Sequence, residues 1–304
     1  MPDEARNAPL FGLNIDPMAR DLETVFRLSA FADEAELDFV SIQDHPYIPN
    51  FLETWTLLAA IGARTRAVRL LPNVFCLPLR PPSVLAKAAA TLDLITAGRV
   101  ELGLGAGAFW EDIAGYGGER LTPSEAVKAL EEAMRVCREI WSTDASRTAA
   151  TFNGTHYTLR DAKPGPAPAH EIGIWLGAIG PRMQRLTGRL ADGWIVSTGY
   201  IPPERLPDMQ GRIDRAAIEA GRSPNAIRRA YNVSAYVTVD GESPPTVRPG
   251  TIVGSADEIA DEIARFYNML RMDTFLFRAG GGDVEEQARR FSETAVPAVR
   301  ARIR

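Results

Sequence analysis

Two spacings of apolar residues alternate along this chain, one of period two and one of about 3.6, and the switch between them recurs at short intervals. Apolar runs at 11–15 (Phe11-Gly12-Leu13-Asn14-Ile15), at 39–43, and at 68–71 continuing to Asn73-Val74-Phe75 read as strands. Helical spacing occupies 21–35, 52–63 and 83–94. Further strands are expected at 100–104, 172–176, 193–196, 229–239 and 274–277, and further helices at 123–141, 182–190, 207–220, 256–270 and 284–300. Helix 123–141 shows the basis: Val127, Leu130, Met134, Cys137 and Trp141 share one face, and Pro123 stands in the first turn, where a missing N–H is tolerated. Between the fourth and fifth strands, Phe152-Asn153-Gly154-Thr155 marks a turn joining two short β runs, with Tyr157-Thr158-Leu159 as the second arm. The Pro-rich run 163–168 leads back. Eight strand–helix alternations with short connections predict an α/β fold, a single (β/α)8 TIM barrel domain over residues 1–304, with a short β excursion between strands 4 and 5.

Composition narrows what such a barrel does. A formal net charge of -5 and the lack of any basic run argue against nucleic-acid and membrane-surface partners. No apolar stretch approaches the roughly 18–20 residues of a membrane span, and the first residues carry no signal-peptide pattern. Cys76 and Cys137 have no metal-ligand spacing, which fits a reduced, cytoplasmic setting. Lysine occurs only at positions 87, 128 and 163 among 34 basic residues, a bias that points to a GC-rich source genome.

In parallel α/β folds ligands sit at the C-terminal ends of strands, so the residues there are the candidates for chemistry. Gly103, Gly105 and Gly107 strip side chains from the end of strand 4, letting backbone approach a flat ring or a phosphate. The pattern is not a dinucleotide fingerprint, because it does not open the helix of a first βα unit. His45 follows strand 2 beside Asp44, a carboxylate expected to raise the proton affinity of the imidazole. Asn73 and Val74 end strand 3. Gly177-Ala178-Ile179-Gly180-Pro181 follows strand 5 and opens a helix whose free N–H groups favour an anion, while Ser197-Thr198-Gly199 after strand 6 supplies hydroxyl donors. Each of these loops is equally readable as capping and tight turns; their joint placement at strand ends is what favours a ligand. A metal-dependent hydrolase requires clustered ligands, and three scattered histidines argue against one, so no metal is expected.

The ordered set Asp44-His45, Asn73-Val74, 85–93, 98–107, Leu190-Ala191-Asp192-Gly193-Trp194 and 253–260 resembles the bacterial luciferase-like flavin oxidoreductases over nearly the whole chain. The resemblance implies a barrel that holds FMN or the deazaflavin coenzyme F420 at its C-terminal mouth. It implies a non-prolyl cis peptide in a bulge after strand 3, here at Asn73-Val74. It also implies that Gly105-Ala106-Gly107, Gly177 to Pro181 and Ser197 to Gly199 line ring, ribityl chain and phosphate. His45 is then the acid/base group or hydrogen-bond donor at the reacting face, with Asp44 as its partner.

Sugar-phosphate dehydrogenases of this family carry an acidic residue where this chain has Ala108 and a lysine where it has Tyr200, so a different substrate is expected. Tyr47, Phe109, Trp110 and Tyr200 suggest an aromatic rim for a small apolar or planar molecule. The expected activity is flavin- or deazaflavin-dependent hydride transfer, with F420 favoured by the genomic bias. The alternatives are an FMN monooxygenase using O2 and fed by a reductase or NAD(P)H, and a non-catalytic flavin-binding homologue. The resemblance also implies a homodimer.

Overall fold

Parallel pairing carries the chain round a closed ring. The computed structural model describes residues 7–142 and 148–303. The first half contains β1 (Leu10–Ile15), α1 (Leu22–Glu34), β2 (Phe39–Ile42), α2 (Thr54–Gly62), β3 (Arg69–Pro72), β4 (Phe75–Cys76), α3 (Pro82–Ile95) and β5 (Leu102–Gly105). After α4 (Trp110–Gly115) and α5 (Pro123–Ile140) come β6 (Ala150–Asn153) and β7 (Thr158–Ala162). The second half adds β8 (Ile174–Gly177), α6 (Pro181–Leu190), β9 (Gly193–Ser197), α7 (Leu206–Glu219), β10 (Arg228–Val237) and β11 (Ile252–Gly254). It ends with α8 (Ala256–Leu270), β12 (Thr274–Ala279), α9 (Val284–Arg290) and α10 (Val296–Arg302).

Hydrogen-bonded neighbours run β3-β2-β1-β12-β10-β9-β8-β5-β4. The ring closes where Leu70 of β3 bridges Val100 just before β5: the Leu70 N–H donates to Arg99 O at 2.7 Å and the Glu101 N–H to Leu70 O at 3.0 Å. With β3 and β4 as two pieces of one strand, this is the eight-position barrel that the alternation of elements predicts. The expected excursion is present as the antiparallel β6–β7 hairpin.

Period-two alternation along the strands builds two cores. Phe11, Leu13, Ile15, Val40, Ile42, Leu70, Leu102, Leu104 and their counterparts face outward and join the apolar helix faces in one large cluster. Phe39, Leu71, Trp175, Ile195, Ala230 and Leu276 face inward and plug the barrel, with Phe39 and Trp175 meeting edge-on at 5.7 Å. Ion pairs occupy the N-terminal end below this plug, where Arg69 reaches Asp38 and Glu101, each at 3.8 Å, and stacks over Phe39.

Two local features depart from the expected pattern. The last helix is not continuous over 284–300: a π-helical turn, Phe291–Ala295, separates α9 from α10. Pro297 explains the break, since it has no N–H to return to the preceding turn and its ring crowds the carbonyl four residues back. The short helix α4 was not expected; its six residues are too few to show a helical period.

The hairpin is pinned to α5 by Glu132, whose buried carboxylate accepts from the N–H groups of Thr155, His156 and Tyr157 at 2.8, 2.7 and 3.1 Å. Burial pushes this carboxyl up, but the three N–H donors outweigh it and hold it below the usual glutamate range. A lowered folded-state value means the unfolded chain binds more protons, so the stabilisation is present above roughly pH 4.3 and is lost as pH falls through the folded value. Glu132→Gln should therefore cost about 1–3 kcal/mol in denaturant unfolding at neutral pH, with the gap to wild type closing in acid. Equal stability at neutral pH would show that the carboxylate does not hold the turn.

Candidate active site

Above the apolar plug the inward-facing positions turn polar. The Asn73 side-chain amide donates to Asn232 Oδ1 at 2.7 Å and to Ser41 Oγ at 3.3 Å, and Asn232 Nδ2 donates to Ser197 Oγ at 2.9 Å. These bonds cross the barrel and tie the ends of β2, β3, β9 and β10 into one floor. Between β3 and β4 the strand is interrupted at the Asn73-Val74 peptide, which is cis. Val74 then lies across the strand ends: a Cβ at Gly105 would sit 2.8 Å, and one at Gly177 3.0 Å, from its Cγ2. The glycines after β5 and β8 thus first make room for Val74, and through it shape the cleft.

That cleft is lined by Asp44, His45, Tyr47, Val74, Phe75, Cys76, Gly105, Ala106, Gly107, Ala108, Phe109 and Gly177. Four loops that the sequence singles out therefore meet at one place. His45 sits among aromatic rings, with centroids 5.6 Å from Tyr47, 6.4 Å from Phe51 and 5.5 Å from Phe109, the last edge to face.

Asp44 is held by groups other than His45. Its side chain is fully buried, accepting from the Cys76 N–H at 2.9 Å and from Arg80 Nη2 at 2.6 Å. Burial pushes the Asp44 carboxyl up and Arg80 opposes this. Arg80 Nη2 also reaches Glu53 at 2.9 Å, and its guanidinium lies over the Phe75 ring. The pair therefore braces β4 and the loop below the cleft. The imidazole of His45 instead bonds through Nδ1 to the Tyr47 hydroxyl at 2.8 Å. Its proton affinity falls below the ordinary histidine range: burial lowers it, Asp44 pulls the other way, and Arg278 lowers it further. The expected rise fails because burial outweighs a carboxylate already committed to Arg80. Cys76 is a buried thiol, pushed up to about 12 by burial and by Asp44.

The remaining expected residues are spread more widely. Ala178 is buried, and its carbonyl takes the Trp194 indole N–H at 2.8 Å. Ile179 is half exposed, and Gly180 caps α6 with Pro181 at the first helical position. Ser197 joins the floor through Asn232, Thr198 accepts from the Ser234 N–H at 3.2 Å, and Gly199 packs against Gly250. Gly107 has φ +96°, and Trp110 packs behind it rather than into the cleft. Tyr200 is 73% exposed and lies outside the cleft lining.

Several residues at the mouth were not singled out from sequence. Asn232 completes the floor, Phe51 completes the aromatic collar, and Asp16 accepts from Arg278 at 2.7 Å and from Gln43 at 2.5 Å, with Arg248 at 3.4 Å. Asp16, Gln43 and Arg278 stand at the C-terminal ends of β1, β2 and β12, the same position that draws attention to His45. No group of three or more His, Cys, Asp or Glu able to hold a metal occurs among the described residues. Nor is any helix among them long and apolar enough to cross a membrane.

Comparison with known proteins adds to this geometry. The sequence model of the family described as luciferase-like monooxygenase matches residues 11–244. An F420-dependent glucose-6-phosphate dehydrogenase from Microbacterium testaceum is 33% identical over 201 residues, 63% of this chain and 57% of the relative. A phthiodiolone/phenolphthiodiolone dimycocerosates ketoreductase from a Mycobacterium species is 34% identical over 241 residues, 78% of this chain and 58% of the relative. The chain spans less than two thirds of the length of these curated relatives. Among solved structures, an F420-dependent secondary alcohol dehydrogenase in complex with an F420-acetone adduct superposes with a TM-score of 0.84 at 21% identity, covering 96% of this chain and 99% of the other. The monooxygenase RslO1 from Streptomyces bottropensis gives 0.79 at 20% identity, covering 95% and 99%. At these identities the two structures share the fold.

The buried Asp44–Arg80 pair generates a direct expectation. Arg80→Met strands a carboxylate with no counter-charge in the pair and should cost about 3 kcal/mol in urea unfolding. Adding Asp44→Asn to that variant should restore part of the loss. Wild-type stability in Arg80→Met would remove Arg80 as the brace.

Proposed function

This chain belongs to the luciferase-like monooxygenase family, and on that premise we propose that it is an oxidoreductase using coenzyme F420 to move a hydride to or from a small apolar or planar organic substrate. The observation that carries this reading is the cleft: an apolar backrest of Val74 between Gly105 and Gly177, faced by a histidine within an aromatic collar. A flat heteroaromatic ring suits such a slot. The residues present fit the rest of the cofactor as well. Gly180 has open space where a Cβ would stand, and α6 begins there without a side-chain cap. Its N–H groups, with the hydroxyls of Ser197 and Thr198, would hold a phosphate.

Bound there, a deazaflavin supplies a two-electron hydride, whereas FMN also opens chemistry with dioxygen. The protein's own part is to orient, to exclude water and to hold a hydrogen bond at His45. Tyr47, Phe51 and Phe109 close the apolar side around that ring. The F420 dependence named for the dehydrogenase relatives supports the deazaflavin over FMN. Ala108 and Tyr200, both exposed, stand where sugar-phosphate enzymes of the family use an acid and a lysine, which supports a substrate without a sugar phosphate.

Titrating the apo-protein separately with F420 and FMN, followed by fluorescence quenching, tests the reading. Tight binding of F420 alone is expected. Binding of FMN alone would replace it with a monooxygenase fed by a reductase or NAD(P)H, and binding of neither would overturn the enzyme reading. His45→Ala should lower turnover by roughly 100-fold or more while changing F420 affinity little, because a hydrogen-bonding or proton-handling group at the reacting face acts on the transition state. Unchanged turnover would remove His45 from the chemistry.

A further inference from the structure

We propose that Tyr47 is a positioning residue that holds His45 in the tautomer protonated on Nε2, so that the cleft meets a ligand oxygen with a donor and suits carbonyl compounds. The inference deepens the reading of the cleft as an oxidoreductase site and rests on it for the word substrate; the tautomer itself rests on geometry. Tyr47 Oη and His45 Nδ1 are 2.8 Å apart, so one proton lies between them. Two arrangements satisfy that distance: the phenol donates to an unprotonated Nδ1, or an Nδ1–H donates to the phenol oxygen.

Elementary acidity decides between them. A phenol, with a reference value of about 10, is a far stronger acid than a neutral imidazole N–H, and an imidazole nitrogen, at about 6.5, is a far stronger base than a phenol oxygen. The proton therefore stays on Oη and points at Nδ1. The ring is neutral in this arrangement, so its own proton is on Nε2. Burial raises the Tyr47 hydroxyl further, which keeps the phenol a donor across the accessible pH range.

Packing fixes the orientation in which this operates. The Phe109 ring meets His45 edge to face at 84°, Tyr47 and Phe109 lie 6.1 Å apart, and Phe51 stands on a third side. A half-turn of the imidazole would swap Nδ1 for a carbon and forfeit the Tyr47 bond. The charged groups acting on His45 are Asp44, committed to Arg80, and Arg278, committed to Asp16; Cys76, Asp112 and Asp44 act on Tyr47. Neither charge supplies a competing bond to Nδ1.

The chemical consequence concerns the ligand. An Nε2–H donates to a carbonyl oxygen and pulls electron density from its carbon, the direction that favours hydride arrival. As the carbon takes the hydride, the oxygen takes the Nε2 proton, Nδ1 takes the proton of Tyr47 Oη, and solvent reprotonates the phenolate. An alcohol brings its own proton and needs a bare nitrogen, which this tautomer does not offer. The ligand class that fits the cleft is therefore a small apolar aldehyde, ketone or conjugated carbonyl compound.

Long-range proton–nitrogen correlation on uniformly 15N-labelled full-length protein tests this. Only three histidines are present, and His45 is assigned by its loss in His45→Gln. The expected spectrum has a pyridine-type Nδ1 and a pyrrole-type Nε2. In Tyr47→Phe, which keeps the ring packing, the two nitrogens should shift toward a mixture of tautomers. The titration midpoint of His45 should also rise by roughly 0.5–1 pH, because the lost bond favoured the neutral ring. A pyrrole-type Nδ1 in the wild type overturns the proposal, as does a Tyr47→Phe spectrum and midpoint identical to wild type. These readouts need no cofactor, so their failure is distinct from a failure of F420 to bind.

Discussion

Val74 occupies space that a side chain at Gly105 or Gly177 would need, and the architecture of the mouth follows from that exclusion. A barrel strand normally delivers its inward side chains in register with its neighbours. Here the third strand stops at Pro72, turns through Asn73-Val74 and resumes at Phe75, where it pairs with Leu104 instead of continuing beside β2. The displaced side chain leans over two adjacent strand ends that carry no Cβ. Below it, Asn73 is gripped by Ser41 and Asn232 from opposite sides of the barrel. The bulge is held by partners from β2, β5, β8 and β10, so no single strand can relax it.

The resumed strand needs its own support, and it receives an ionic one. Asp44 binds the Cys76 N–H and Arg80, which in turn lies over Phe75. A buried ion pair is weak evidence of net stabilisation, since desolvation offsets much of the attraction; its attested use is to specify one arrangement. That use fits here. The segment from Phe75 to Arg80 contains one short strand and one 3-10 turn, too little regular structure to fix its own path.

The fold was legible because strand and helix periods are long-range averages that survive local exceptions. Eight alternations, a hairpin turn at Asn153-Gly154 and the proline at the start of α5 each have a physical signature within a few residues. The site was legible as a set of loops, because strand ends at one side of a barrel converge whatever their sequence. What was hidden is pairing. Asp44 and His45 are adjacent in sequence, yet successive side chains at a strand end diverge, and Asp44 turns to Arg80, 36 residues away. Asn232 lies 159 residues from Asn73, and Asp16 lies 262 from Arg278, separations over which no local pattern carries information. Tyr47, expected as a rim residue, is close enough in sequence to His45 to reach it, but only the geometry of the turn after β2 shows that it does.

The mouth divides chemically along a line through His45. On one side lie Val74, Phe109, Phe51 and the Tyr47 ring, with little charge. On the other lie Asp16 at the end of β1, Arg248 in the loop before β11 and Arg278 at the end of β12. A histidine between these halves feels burial from the first and a guanidinium from the second, and both disfavour its cation. Asp44, the adjacent carboxylate, opposes them from the brace beneath the cleft without outweighing the burial. The same ion pair that fixes the path of β4 therefore also fixes the place of the carboxylate beside His45, from which its pull on the imidazole is outweighed by burial.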